Sequence, residues 1–276
     1  MTDPRRPLDP AALQSAVGPR WTVRHVALTG STNADLARSD TPDHTVLVAE
    51  QQSAGRGRLG RRWVAPAGAG LLFSAAVRVD GIPVARRAWL GALLGLAVVR
   101  GIGVAAGLDA ALKWPNDVLI DDRKVAGLLA EAVGELVVVG AGINVTTAAS
   151  ELPRPDACSL ASAGAADPDR AVLLGAVLLA FDELVGTWTS AGGEVLGTEL
   201  ASEYRAACRT LGRRVRLDLP DGGELVGTAV DVAADGALVV DTGDGTTSSY
   251  AAGDVVHLRT RGQVDPSEAR LPSDPA

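Results

Sequence analysis

Between Trp89 and Leu108 nearly every residue is apolar, and a run of that length is either a membrane span or a helix at the centre of a sizeable core. Gly91 and Gly95 even have the GxxxG spacing of packed membrane helices. Arg100 decides against the span, because a central arginine costs about 2.5–3.5 kcal/mol on insertion scales. Gly101, Gly103 and Gly107 also loosen the end of the run. The pattern therefore predicts a buried helix from about Val84 to Val104. With 276 residues, 47% of them hydrophobic, the chain is long enough for a main domain with a small partner. Cys158 and Cys208 stand fifty positions apart, which gives neither a metal pair nor a disulfide framework and points to a reducing compartment. No apolar segment follows the proline-rich start, so a cytoplasmic location is expected.

Around that helix the other elements fall into order. Residues 1–20 hold four prolines and no sustained period and read as a flexible segment. Trp21–Leu28 reads as a strand, and Ser31 or Thr32 can cap a helix, with Asp35 in the place of a capping-box acid. Thr45–Ala49 and Leu71–Val79 read as strands on either side of a long polar loop from Glu50 to Gly70. Strands and a hairpin follow at Ala111–Trp114, Val118–Ile120 and Val125–Ala132, then a buried strand from Leu136. Asp167-Pro168 gives the cap and first position of an apolar helix running to about Val185, and a further helix holds Tyr204. After Gly212 the apolar period changes to two, with turns at 221–223, 235–236 and 243–245, which predicts a small antiparallel barrel. The main domain is thus placed at 21–210, the small one at 211–260, and a disordered tail at 261–276.

Loops of the length of 50–70 are uncommon in a compact domain and usually functional. This one holds four arginines within eight residues, Gly55-Arg56-Gly57-Arg58-Leu59-Gly60-Arg61-Arg62. The G-x-G-x-x-G match suggests a dinucleotide site, but that motif needs a helix directly after the glycines, and Pro66, Gly68 and Gly70 leave no room for it. What remains is an anion site, since guanidinium forks suit carboxylate or phosphate. A solvated basic turn or a nucleic-acid patch stays open on the arginines alone; the net charge of −7 weighs against the patch. A second block, Lys113-Trp114-Pro115-Asn116-Asp117 with Lys124 after the next turn, sets a carboxylate among ammonium groups. That combination can poise a proton and offset charge on a phosphoryl group, although surface charges and a turn acid would look the same.

Taken together, Ser31-Thr32-Asn33, Gln52 to Arg58, Lys113 to Asp117, Arg123-Lys124-Val125-Ala126-Gly127 and Gly140 to Asn144 occur in an order that resembles the biotin protein ligases. The resemblance implies an α+β fold: a mixed, mostly antiparallel sheet with packed helices of the class II synthetase kind, plus an SH3-like C-terminal domain. It implies that biotin is activated by ATP with Mg²⁺ as biotinyl-5′-AMP and joined to a lysine of a biotin carboxyl carrier domain. By the same resemblance, Arg56, Arg58 and Arg61 belong to a loop closing over biotin and adenylate, with Trp63 near the adenine. Ser31, Thr32, Asn33 and Gln52 take the biotin head group, Gly55 and Gly127 line its path, and Asn116 and Asn144 lie near the nucleotide. Lys124 contacts the reacting carboxyl and phosphate. Asp117 orients or deprotonates the acceptor lysine, or else pairs structurally with Lys113. A lipoate or octanoate ligase of the same superfamily is the alternative. Some biotin ligases carry an N-terminal DNA-binding domain; the thirty residues before Ser31 leave no space for three packed helices, so neither DNA nor membrane is an expected partner.

Overall fold

The computed structural model describes residues 5–258 apart from Ser39, Asp221 and Asp244; the expected tail at 261–276 lies outside the described residues. Seven strands form the main sheet: β1 (Thr22–Thr29), β2 (Thr45–Gln52), β3 (Gly70–Arg78), β4 (Ala111–Lys113), β5 (Asp117–Ile120), β6 (Arg123–Val133) and β7 (Leu136–Asn144). Their order is β1-β2-β3-β7-β6-β5-β4. Only β1 and β2 run parallel; every other neighbouring pair is antiparallel. All nine residues of β7 are buried, as a central strand covered on both faces requires, and this explains its continuous apolar sequence.

Five α-helices among the described residues complete the main domain: α1 (Pro10–Val17), α2 (Thr32–Leu36), α3 (Trp89–Ala106), α4 (Arg170–Ser190) and α5 (Glu199–Ala207). The apolar run of α3 is a core helix, packed against the sheet on one side and α4 on the other. By length and composition both α3, with the turn before it, and α4 are apolar enough to cross a membrane. Here they bury each other. Gly95 and Gly101 are points of close approach, since a Cβ on them would lie 2.9 Å from Leu112 Cδ2 and 2.5 Å from Val177 Cγ2. Arg100, the residue that spoke against a span, forks onto Glu203 of α5 at 2.7 Å and reaches Glu183 of α4 at 3.3 Å.

Three expectations are corrected. The first twenty residues are not wholly a flexible lead-in: Asp9 caps α1, with Pro10 at its first turn, and Leu13 is fully buried. Helix α4 is capped by Asp169, which accepts from the Ala171 and Val172 N–H groups, so it begins two residues beyond the proline signal; the carboxylate that reaches two free N–H groups sets the start. Asp35 makes no capping box, because its carboxylate turns to the Thr29 hydroxyl.

The C-terminal segment forms a five-stranded antiparallel sheet of β8 (Arg214–Asp218), β9 (Glu224–Val232), β10 (Leu238–Asp241), β11 (Thr247–Tyr250) and β12 (Asp254–His257), ordered β11-β10-β9-β8-β12. Two indoles of the main domain dock it: Trp89 Nε1 donates to Ala234 O at 2.8 Å and Trp114 Nε1 to Gly236 O at 3.0 Å. A cleft of about 1370 Å³ opens between this domain and the main sheet.

Candidate active site

The arginine loop is a tight hairpin laid over the cleft. Trp63 N–H donates to Gly55 O at 2.9 Å, Gly57 N–H to Arg61 O at 2.7 Å, and Leu59 and Gly60 turn the chain at positive φ. Gly55 is needed for closure, since a Cβ there would lie 2.5 Å from Trp63 O. Three of the four guanidinium groups are engaged. Arg56 meets Glu131 at 2.9 Å, Arg62 donates to Ser53 O at 2.6 Å, and Arg61 pairs with Asp254 of the small domain. Arg58 has no ion-pair partner among the described residues. Burial pulls its guanidinium below the ordinary value, while Asp254 and Asp117 act the other way; it stays charged and faces the cleft.

At one end of the cleft lies a buried polar cluster. Gln52 Oε1 accepts from Thr32 N–H at 2.8 Å and lies 3.1 Å from Thr32 Oγ1. Ser74 Oγ stands 2.5 Å from Asn33 Oδ1 and 2.8 Å from Thr32 Oγ1, and Asn33 Nδ2 donates to Glu131 at 3.0 Å. Ser31 caps α2 through the Ala34 N–H, and it lines the cleft as well. The Asn33 amide is thus engaged inside the protein, as are those of Asn116, which donates to Leu128 O at 2.8 Å, and Asn144, which donates to Cys158 O at 3.0 Å. All three line the cleft, with these amides serving the scaffold.

On the other side Lys113 and Asp117 are cross-strand neighbours, as are Asp117 and Gly127. The ion-pair partner of Asp117 is Lys124, at 2.5 Å, rather than the Lys113 considered from the sequence. The reason is geometric: the turn at Asp121-Asp122 folds β6 back beside β5. Lys113, like Arg58, has no ion pair among the described residues. Burial lowers its pKa, with Arg154 and Lys124 adding to the effect and Asp117 and Asp156 opposing it.

Trp63 occupies the middle. Gly127 and Gly142 face each other across β6 and β7, and the indole lies on this flat floor. A Cβ on Gly142 would stand 2.4 Å from the ring, and one on Gly127 2.8 Å. Lys124 Nζ sits 5.7 Å from the ring centroid. Trp63 Nε1 is buried with no hydrogen-bond partner among the described residues, a state that costs about 1–3 kcal/mol and that an acceptor on a ligand would relieve.

Several residues in the cleft or bound to its lining gave no sequence signal. Glu131 bridges the arginine loop and Asn33, yet it reads as an ordinary strand acid. Arg154 and Asp156 pair with each other at 2.6 Å beside Lys113. Asp254 and His257 arrive from a domain more than a hundred residues downstream. His257 contacts Thr210 Oγ1 at 3.1 Å and Arg213 at 3.3 Å, and burial first, then Lys113 and Arg213, depress its pKa to about 4.

A mixed sheet with an arginine-bearing hairpin over a lysine-lined cleft is the site of a protein that brings anionic groups together. Residues 24–145 match the biotin/lipoate A/B protein ligase family, and residues 210–258 match the biotin protein ligase C terminal domain. The chain is 43% identical to biotin–[acetyl-CoA-carboxylase] ligase of Mycobacterium tuberculosis over 92% of its own length and 97% of that protein. It is 32% identical to the bifunctional ligase/repressor BirA of Bacillus spizizenii, over 82% of this chain and 70% of that one. The structure of biotin protein ligase from Aquifex aeolicus in complex with biotin and ATP superposes with a TM-score of 0.73 at 28% identity, covering 86% of this chain and 99% of that chain. The chain belongs to the biotin protein ligase family.

Proposed function

We propose that this enzyme activates biotin with ATP as biotinyl-5′-AMP and passes the biotinyl group to a lysine of a biotin carboxyl carrier domain. The observation that supports this best is the convergence of Arg58, Lys113 and Lys124 on one cleft of an otherwise acidic chain. A biotin carboxylate oxygen forms a bond to the α-phosphorus while the bond to the β-phosphate oxygen breaks and pyrophosphate leaves. Two anions approach each other only if cations offset their repulsion. Arg58 and Lys113, which have no ion pair among the described residues, can do this, and Lys124 is steered by Asp117. In the second step the neutral amine of the acceptor lysine attacks the acyl carbon and AMP leaves. Asp117, at the cleft wall, orients that amine and takes its proton.

In this reading Ser31, Thr32 and Gln52 receive the biotin head group, with Asn33 holding the cluster in place. Trp63 and Arg56, Arg58 and Arg61 cover the adenylate, and Trp63 Nε1 finds its acceptor there. Mg²⁺ enters with ATP as substrate, bound chiefly by phosphate oxygens. The two buried free cysteines suit the reducing cytoplasm. Biotin-dependent exchange of labelled pyrophosphate into ATP tests the assignment. Biotin should support exchange and lipoate or octanoate should not; the reverse outcome overturns the reading. A shift of a biotin-operon promoter fragment at physiological salt would contradict the expected absence of a DNA partner.

A further inference from the structure

The stretch from Arg5 to Leu8 lies as a strap across the foot of the arginine loop, on the side away from the cleft chemistry. Arg5 forks onto Glu151 at 3.0 and 2.5 Å and reaches Thr146 O at 3.3 Å. Arg6 O accepts from Arg170 Nη2 at 2.7 Å, and Leu8 N–H donates to Glu50 Oε1 at 2.6 Å. Gly68, at φ +70, admits the strap, because a Cβ there would stand 2.5 Å from Arg5 O. Beneath it, Glu50 also takes Arg170 Nη1 at 2.7 Å and His25 Nε2 at 2.9 Å. Glu50 and Arg170 are 8% and 4% exposed.

The placement relates this knot to the site. Glu50 precedes Gln52 by two residues on β2, so the two side chains share a face. The loop returns at Gly68, whose N–H donates to Glu50 O at 3.1 Å, and Ala69 O accepts from the N–H groups of Val145 and Thr146 at 3.1 and 2.8 Å. The exit of the arginine loop and the segment after Asn144 are thus bound to each other, and the strap holds both from outside. As stabilisers these charges are poorly suited. An exposed pair such as Arg5–Glu151 adds little to stability, because water screens it, and a buried pair such as Arg170–Glu50 can be matched by apolar packing. What such contacts do supply is a fixed geometry.

We infer that the strap Arg5–Leu8, seated on Glu50 and Arg170, is a positioning device that holds the exit of the arginine loop against the segment following Asn144 and thereby sets the enzyme's grip on the nucleotide. The inference rests on the proposed adenylation reaction. Arg5 touches the exit stem and residues 146–151 but none of the Ser31, Thr32 or Gln52 cluster, so its loss should separate the two substrates.

The experiment uses full-length protein in biotin-dependent pyrophosphate exchange, comparing wild type, Arg5→Ala, Glu151→Ala and the exchanged pair Arg5→Glu with Glu151→Arg. Each single variant should raise the KM for ATP by about fivefold, within the usual range of coupling between sites. The KM for biotin should stay within about twofold and Tm within about 2 °C, as for an exposed ion pair. The exchanged pair should recover most of the lost affinity. Unchanged KM for ATP in both single variants, a parallel rise of both KM values with a fall in Tm, or no rescue by the exchanged pair each overturns the inference. Absence of exchange by the wild type would instead remove the functional reading on which it rests.

Discussion

Lys124 stands between a carboxylate at 2.5 Å and an indole face at 5.7 Å, and both contacts fix the direction of its ammonium. Its charge matters most where the phosphorus gains negative charge. Lys124→Ala should lower the rate of pyrophosphate exchange by about 10²–10³, the usual effect of removing one electrostatic stabiliser, while calorimetry shows biotin affinity nearly unchanged. Normal adenylate formation would refute that role. Arg58 faces the cleft and has no ion pair among the described residues, so its charge is available to the bound anhydride; Arg58→Gly should loosen the closed loop and release that anhydride. Bystander lysines, read by mass spectrometry after incubation with a non-acceptor protein, should then be labelled; unchanged acceptor selectivity counts against the idea. Gly142→Ala places a methyl where the Trp63 ring lies, 2.4 Å away, and neither backbone strand can retreat without breaking the sheet. The indole must leave its floor, which should appear as a shift in Trp63 emission, measured against a Trp63→Phe control, together with weaker substrate binding.

At the scale of elements, β12 and the turn before β8 meet the main domain through His257, Thr210 and Arg213. Burial, helped by Lys113 and Arg213 and opposed by Asp122, keeps the imidazole neutral with a pKa near 4 instead of 6.5. Between those values the unfolded chain takes up a proton that the folded chain refuses, so stability is full above pH 6.5 and declines as pH falls towards 4. Allowing for the partial exposure of the ring, the loss is of order 1–2 kcal/mol. His257→Asn should flatten this part of the profile, as measured by melting temperature at pH 7.5 and pH 5. An identical fall in both proteins would place the titration elsewhere.

Across the whole molecule, the cleft exists because two domains are held at a fixed distance. Trp89 and Trp114 do much of this holding, through the carbonyls of Ala234 and Gly236. Trp114→Phe keeps most of the ring burial and removes the donor, leaving a carbonyl with one bond fewer; the expected cost is about 1–3 kcal/mol. Calorimetry should show the small domain melting earlier. Because Arg61 pairs with Asp254 across the same gap, affinity for ATP should weaken along with it. A single unshifted transition would mean that the indole bonds are not what couples the domains.

Much of this was written locally. The period of two after Gly212, the apolar helix interrupted by Arg100, the strand–loop–strand framing the arginines and the Lys113–Asp117 block are all near-neighbour patterns, and near-neighbour sterics and burial decide them. The helix starts were less legible, because Asp167 and Asp169 can both cap, and it is the Asp169 carboxylate that meets the Ala171 and Val172 N–H groups. The pairing of charges was not legible at all. Which acid faces Lys124, that Arg61 crosses to Asp254, that Glu131 ties Arg56 to Asn33, and that an N-terminal strap lies under the loop depend on contacts between residues up to 193 positions apart. Residue types and spacing therefore determined the elements and the kind of chemistry. Tertiary structure alone decided which cations are neutralised and which, like Arg58 and Lys113, have no ion pair among the described residues, since that depends on distances of a few ångströms that arise only when the sheet closes.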